Sequence, residues 1–227
     1  MIQDEGARDC LRRRGVAGAG DGRDGWAIRP LARRVAARLA ALALLQSLNA
    51  ELLSHDSATA TLERWCANHR LAQPAQIVAE RVREEKPASA EVRAALEVGP
   101  DDPLGYRRVR LKCGDHVLSE ADHWYVPGRL RPEMNLTLET SDTPFGKAIA
   151  ELHFRRRTLS TRLLWSPLPD GWEMSATPPE TEARALAIPP YVLEHRAVLS
   201  LPGGEPISEV VETYAGEVLA FPSPVAR

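Results

Sequence analysis

Ionisable side chains are concentrated in one segment whose pattern predicts two β-strands joined by a tight turn. The segment, residues 105–130, reads GYRRVRLKCGDHVLSEADHWYVPGRL, and its strands carry Arg107, Arg108, Arg110, Glu120, Asp122 and His123. Successive side chains of a strand point to opposite faces, which puts Arg107 beside apolar residues and Arg108 on the other, basic face. The hairpin therefore either exposes one charged face to water or holds a charged ligand.

A carboxylate near the C-terminus falls among apolar residues. In the last predicted strand Glu212 shares a face with Val210 and Tyr214, so we expect it to be at least partly buried. Burial raises the pKa of a carboxyl group unless an arginine pairs with it. Glu212 is then either half of a structural arginine–glutamate pair across the sheet or a group that acts on a ligand. The arginine run at 155–157 is interpreted as exposed to solvent.

Helices are predicted in the first third of the chain. Leucines recur at roughly helical spacing from about residue 30 to 53, and Asp56 and Ser57 supply capping groups ahead of a second helix. Residues 76–85 fit a helix and a strand equally well. These elements would lie before the charged hairpin.

Further helices and strands are predicted in the second half. Pro132 suits the first turn of a short helix, and DTPFGKAIAEL predicts another with Asp142 or Thr143 as its N-cap. A strand is predicted from residue 155, and a second hairpin over residues 191–216. Because strands pair in hairpins and no βαβ alternation is present, the sequence predicts an α+β fold with a single antiparallel β-sheet.

Composition and charge bound the class of protein. The chain has 227 residues and a formal net charge of −2, which is ordinary for a globular protein and does not favour binding to nucleic acid. Polar residues interrupt the apolar stretch at 38–53, so we interpret it as an amphipathic helix and predict no membrane span. The glycine- and arginine-rich start predicts a flexible extension over residues 1–35 and a folded domain over residues 36–227.

The cysteines favour a reducing compartment. Cys10, Cys66 and Cys113 are odd in number and far apart, with neither metal-ligand spacing nor a disulfide framework. We therefore expect each to be a small buried apolar residue and the protein to be cytoplasmic.

The order of several motifs resembles one known enzyme family. The motifs are YRRVRL, GDHVLSEADHWYVP, DTPFGKAI, RTLSTRLL and GEPISEVVETYAGEVLAF, and they span roughly residues 40–221. Together they resemble bacterial chorismate pyruvate-lyase, whose fold is shared with the ligand-sensing domains of a large class of bacterial transcription regulators. The resemblance implies a single antiparallel sheet with helices covering an enclosed ligand pocket.

The resemblance also assigns residues to the site. The carboxylate-binding arginine falls on Arg108, with Arg107 as the substitute if the face beside the apolar residues is the buried one. The glutamate of the last hairpin falls on Glu212, and Arg108 and Glu212 are the implied catalytic residues. The substrate-contacting residue after Thr-Pro falls on Phe145, and a methionine of the family falls on Ala58, which shortens that side chain.

The implied reaction is the cleavage of chorismate to 4-hydroxybenzoate and pyruvate, the entry to ubiquinone biosynthesis. It uses neither a metal nor an organic cofactor. The expected partner is a small aromatic or cyclohexadiene carboxylate, and we expect the protein to be a monomer. Asp122-His123 stands where the family has Gly-Arg, so a basic group there would depend on pH. A noncatalytic domain of the same fold that binds small aromatic acids is the alternative.

Overall fold

The computed structural model describes residues 24–174 and 186–221, with side chains described from residue 35 onward. Its centre is one six-stranded antiparallel sheet with the strand order β1-β2-β3-β6-β5-β4. The strands are β1 Ile77–Val82, β2 Gly105–Cys113, β3 His116–Tyr125, β4 Arg155–Leu163, β5 Tyr191–Ser200 and β6 Pro206–Ala215. The predicted α+β fold with a single antiparallel sheet is thereby confirmed, and both predicted hairpins are present.

Five α-helices accompany the sheet in the described residues: α1 Asp24–Ser54, α2 Ala58–His69, α3 Ala90–Ala95, α4 Pro132–Thr140 and α5 Phe145–Ala148. Helix α1 begins inside the extension predicted for residues 1–35, and residues 1–23 lie outside the described residues. The ambiguous segment 76–85 contains strand β1. The Ser57 hydroxyl accepts a hydrogen bond from the Ala60 N–H, as predicted for an N-cap of α2.

Helix α5 starts later than predicted. Its N-cap is Pro144 in an extended conformation, rather than Asp142 or Thr143, and no side chain caps it. The reason lies in the preceding backbone, where the carbonyl oxygens of Ser141 and Thr143 accept hydrogen bonds from the guanidinium of Arg107. The sheet therefore holds this segment in a loop.

Apolar side chains of α1 build the core against the sheet. Leu45, Leu48 and Leu52 recur at helical spacing and are fully buried, in one cluster with residues of α2 and the sheet. The stretch Val35–Ser54 is long and apolar enough to cross a membrane by length and composition. Its three buried leucines agree with the predicted amphipathic helix. The cytoplasmic location of the protein stays a prediction.

Two cysteines are joined, contrary to the expectation that none would be. Cys66 of α2 and Cys113 at the end of β2 form a disulfide, with their Cα atoms 6.6 Å apart. The expectation was wrong because the two residues are separated by 47 positions and only the packing of α2 on the sheet brings them together. Cys10 lies outside the described residues.

The two faces of the sheet differ in chemistry. The face that carries Val109, Ala121 and Glu212, here called the inner face, packs against α1, α2 and α5. The opposite, outer face carries an alternating set of charges: Glu80, Glu84, Arg108, Arg110, Lys112 and Glu120. Helix α3 covers the end of this face through Val92, Leu96 and Trp124. Most ionisable groups of the first hairpin thus form exposed ion pairs.

Candidate functional site

Glu212 is a buried carboxylate on the inner face. Strand β6 places it beside Ala121 of β3 and His195 of β5, and 4% of the residue is exposed. Its Oε2 accepts a hydrogen bond from Arg156 Nη2 at 2.5 Å and another from the Tyr214 hydroxyl at 2.9 Å. Burial alone would raise the pKa of Glu212, but the charge and hydrogen bond of Arg156 outweigh it and lower that pKa. Glu212 is therefore ionised at neutral pH.

A small cavity lies directly over Glu212. Its lining includes Ala58, His123, Phe145, Arg156 and Glu212, together with the turn before α2 and Phe154. The cavity volume is about 20 Å³, close to the minimum that holds one water molecule. A ring-sized ligand therefore requires the covering elements α2 and α5 to move away from the sheet.

Three of the four predicted site residues meet at this cavity. Ala58 at the start of α2, Phe145 at the start of α5 and Glu212 on β6 all contribute to its lining. They come from segments far apart in the sequence, and the fold brings them together. Their roles toward a ligand stay predictions.

Arg108, the fourth predicted site residue, lies on the outer face. The register pairs Arg108 with Asp122 and Val109 with Ala121, so Arg108 points away from Glu212. Its guanidinium donates to Glu84 and Glu120, each at 3.0 Å. The assignment of Arg108 to the pocket is corrected here, because strand alternation puts its side chain on the side of the sheet opposite the cavity.

Arg107, the alternative candidate to Arg108, lies on the inner face but donates its hydrogen bonds to backbone carbonyl oxygens. It is 3% exposed, and it donates to the carbonyl oxygens of Thr143 at 2.8 Å and Ser141 at 3.1 Å. Burial lowers its pKa to about 10, so it remains charged at neutral pH. Arg107 therefore fixes the segment that leads into α5 and so positions Phe145 over the cavity.

The arginine that reaches Glu212 was missed by sequence reasoning. Arg156 belongs to the run at 155–157, and its side chain is 4% exposed whereas that of Arg155 is 77% exposed. The Arg156 backbone N–H donates to Asp56 Oδ1 at 2.8 Å, which ties β4 to the turn before α2. The run gives no signal of which arginine turns inward. The sequence indicated only that a buried Glu212 would need a cationic partner, without showing which arginine supplies it.

Two neutral histidines flank the pair. Burial lowers the pKa of both His123 and His195 to about 4. The ring of His123 stacks on Phe145, with ring centroids 4.8 Å apart and an interplanar angle of 21°. A ring nitrogen of His195 lies 2.8 Å from Asn49 Oδ1. His123 is thus the expected pH-dependent basic group only at acid pH, since it is neutral near pH 7.

The arrangement offers two polar groups to a ligand, one acceptor and one donor. Ionised Glu212 can accept a hydrogen bond from a ligand, while a general-acid role would require a proton that it lacks at neutral pH. Among the described residues, Arg156 Nε has no hydrogen-bond partner although it is buried. A buried donor without a partner is costly, so a ligand oxygen there would be favourable.

No family model matches the chain, but a comparison with curated proteins gives a clear relative. The chain is 56% identical over 190 residues to the uncharacterized protein y4mC of Sinorhizobium fredii. The matched region covers 83% of this chain and 80% of that protein.

Several solved structures are similar in fold. The effector domain of PhnF from Mycobacterium smegmatis matches at 12% identity and a TM-score of 0.47, over 71% of this chain and 90% of that one. The ligand-binding domain of a proposed GntR-family transcriptional regulator from Bordetella bronchiseptica matches at 17% identity and a TM-score of 0.40, over 63% of this chain and 87% of that one. YydK from Bacillus subtilis, described as a possible transcriptional regulator, matches at 13% identity and a TM-score of 0.37, over 61% of this chain and 58% of YydK. The chain therefore spans less than two thirds of YydK.

Proposed function

This chain belongs to the same family as the y4mC protein of Sinorhizobium fredii, and we propose that its inner cavity binds chorismate and cleaves it to 4-hydroxybenzoate and pyruvate. The observation that carries the proposal is the convergence of Arg156, Glu212, Phe145 and Ala58 on one small cavity, with the Arg156 and Glu212 side chains almost completely buried. In this proposal Arg156 takes the role that the family resemblance implied for Arg108.

Arg156 is the carboxylate holder. A guanidinium is planar and always charged, and its N–H donors match the two oxygens of a carboxylate. The Nη2 atom of Arg156 is engaged with Glu212, and its buried Nε is the donor without a partner among the described residues. The ring carboxylate of chorismate would bind at Nε, with the ring against Phe145 and Phe154.

Glu212 is the acceptor for the ring hydroxyl. It is ionised, and Arg156 and Tyr214 fix its position. Cleavage breaks the bond between a ring carbon and the ether oxygen, and the electron pair leaves with the enolpyruvyl group. The carbon that bears the hydroxyl loses its C–H proton as the ring becomes aromatic, and the enolpyruvyl methylene gains a proton to give pyruvate. By orienting the ring and excluding water, the pocket would supply most of the catalysis.

Binding requires the cavity to open. The cavity has a volume of about 20 Å³, which is much smaller than chorismate. Helix α5 or the turn before α2 must therefore move as the ligand enters. Arg107 holds the segment ahead of α5, and Asp56 holds the turn to β4. The ligand would have to loosen one of these two attachments.

The test is to incubate the purified protein with chorismate and to follow 4-hydroxybenzoate by chromatography, with thermal unfolding measured in parallel. Product formation supports the lyase. Thermal stabilisation by 4-hydroxybenzoate without turnover would support the noncatalytic binding domain instead, because a ligand of the native state raises apparent stability. Absence of both effects would refute the pocket as a site for this class of acid. The monomeric state and the lack of nucleic-acid binding remain predictions.

A further inference from the structure

His123 presents a buried polar atom for which the described residues offer no hydrogen-bond partner. The residue is 7% exposed, and its Nδ1 has no hydrogen-bond partner within residues 24–174 and 186–221. Native proteins pair the large majority of their buried polar side-chain atoms. Because His123 lines the cavity, a molecule that enters the cavity could supply the missing partner.

The position of His123 relative to Glu212 gives the geometry of that partner. Glu212 pairs directly with Ala121, and His123 lies two residues further along β3 on the same inner face. Such diagonal neighbours have Cα atoms about 7–8 Å apart, within reach of long side chains. Both side chains line the same cavity, so one ring compound could contact both at adjacent positions.

A purely structural role for His123 predicts something different. The imidazole stacks on Phe145, and a phenyl ring could make that contact equally well. Replacing a buried unpaired polar group by an apolar group of similar shape is nearly neutral or stabilising. A histidine kept for packing alone would therefore be replaceable by phenylalanine without loss of any function.

We propose that His123 recognises an oxygen substituent on the ring carbon next to the one whose hydroxyl binds Glu212, so that the cavity selects ring acids with two adjacent oxygen substituents. The inference rests on the proposed function in placing a ring acid in the cavity. In chorismate the second oxygen is the ether oxygen that leaves with pyruvate. The imidazole is neutral above pH 5 because burial lowers its pKa to about 4, so it acts as a hydrogen-bonding group.

The test compares two ligands that differ by one hydroxyl group. The dissociation constants of 3,4-dihydroxybenzoate and 4-hydroxybenzoate are measured by calorimetric titration for wild type, His123→Phe and His116→Phe. His116 is a matched control because it lies on the same strand, pairs with Glu217 at the surface and does not line the cavity. Wild type and His116→Phe should prefer the dihydroxy acid by roughly five- to tenfold, the value of one buried hydrogen bond. His123→Phe should lose that preference and should unfold at the same temperature as wild type or higher.

Each result separates the two proposals. A preference that survives in His123→Phe, or that wild type lacks, overturns the role of His123 while leaving the ring-acid site in place. If wild type binds both acids but does not turn over chorismate, the lyase is refuted. The role of His123 is then decided by whether wild type prefers 3,4-dihydroxybenzoate and His123→Phe does not. If wild type binds neither acid, both proposals fail. His123→Asn, which keeps a polar group, should recover part of the preference.

Discussion

Arg156 Nη2 lies 2.5 Å from Glu212 Oε2, although the two residues belong to strands β4 and β6, which are separated by β5. The guanidinium therefore reaches across a whole strand on the inner face. Both side chains are almost completely buried. This contact places one cation and one carboxylate side by side at the cavity, which is the basis of the proposed site.

Removal of Arg156 should destabilise the protein strongly. Arg156→Ala leaves the Glu212 carboxylate buried without its cation, which typically costs about 3–5 kcal/mol. Arg108→Ala is the matched control, since Arg108 makes exposed ion pairs worth at most about 1 kcal/mol. Urea denaturation at pH 7 measures both. Equal losses for the two variants would contradict the assignment of the buried pair.

Substitution of Glu212 separates chemistry from binding. Glu212→Gln keeps the shape and one acceptor oxygen but removes the negative charge that orients the ring hydroxyl. We expect the turnover rate on chorismate to fall by about 10- to 100-fold, the value of one hydrogen bond to a charged group, while the affinity for 4-hydroxybenzoate changes less. Single-turnover kinetics and titration give the two quantities. An unchanged turnover rate would remove Glu212 from the chemical step.

Stability should fall as the solution becomes acidic. The pKa of His123 is about 4 in the folded chain and about 6.5 ordinarily, because burial and the charges of Arg107 and Arg156 outweigh Glu212. Below pH 6.5 the unfolded chain takes up a proton that the folded chain does not, so the stability present above pH 6.5 is lost progressively toward pH 4. The loss from His123 is about 3 kcal/mol. His195 contributes in the same window, for the same reason of burial.

The check is chemical denaturation from pH 7.5 to pH 4. Wild type should lose stability over this range, and His123→Phe should lose markedly less because one of the two histidines is gone. A slope that is identical in the variant would show that His123 does not remain neutral when buried.

The disulfide should stabilise the packing of α2 on the sheet. It links Cys66 and Cys113 across a separation of 47 residues, and a cross-link of that span typically contributes about 2–4 kcal/mol. Cys66→Ser with Cys113→Ser should lower the unfolding free energy by that amount, and a reductant should lower it in wild type only. Mass spectrometry of the unreduced chain reports whether the bond is present. Two free thiols there would contradict the link.

Local patterns in the sequence were sufficient for most of the elements. Ser57 ahead of α2 and the alternation in the two hairpins predicted a helix start and four strands that the structure contains. The same alternation indicated that Arg107, rather than Arg108, would share the apolar face, and it does. These features depend on neighbours within a few residues, which is why a sequence reveals them.

The parts that were missed depend on contacts between distant segments. Whether Arg155, Arg156 or Arg157 turns inward is decided by how β4 pairs with β5, including a register shift after Thr158. The disulfide likewise depends on where α2 lies against β2. No local periodicity encodes either arrangement, so the cationic partner of Glu212 became visible only in the folded structure.

The most direct test of the central claim compares two arginines on opposite faces of the sheet. Production of 4-hydroxybenzoate from chorismate is measured for wild type, Arg108→Ala and Arg156→Lys, each first shown to be folded by circular dichroism. Lysine retains the charge beside Glu212 but lacks the planar guanidinium. The proposed site predicts that wild type and Arg108→Ala form product at similar rates, whereas Arg156→Lys is at least tenfold slower. Loss of activity in Arg108→Ala with full activity in Arg156→Lys, or no product from wild type, would contradict it.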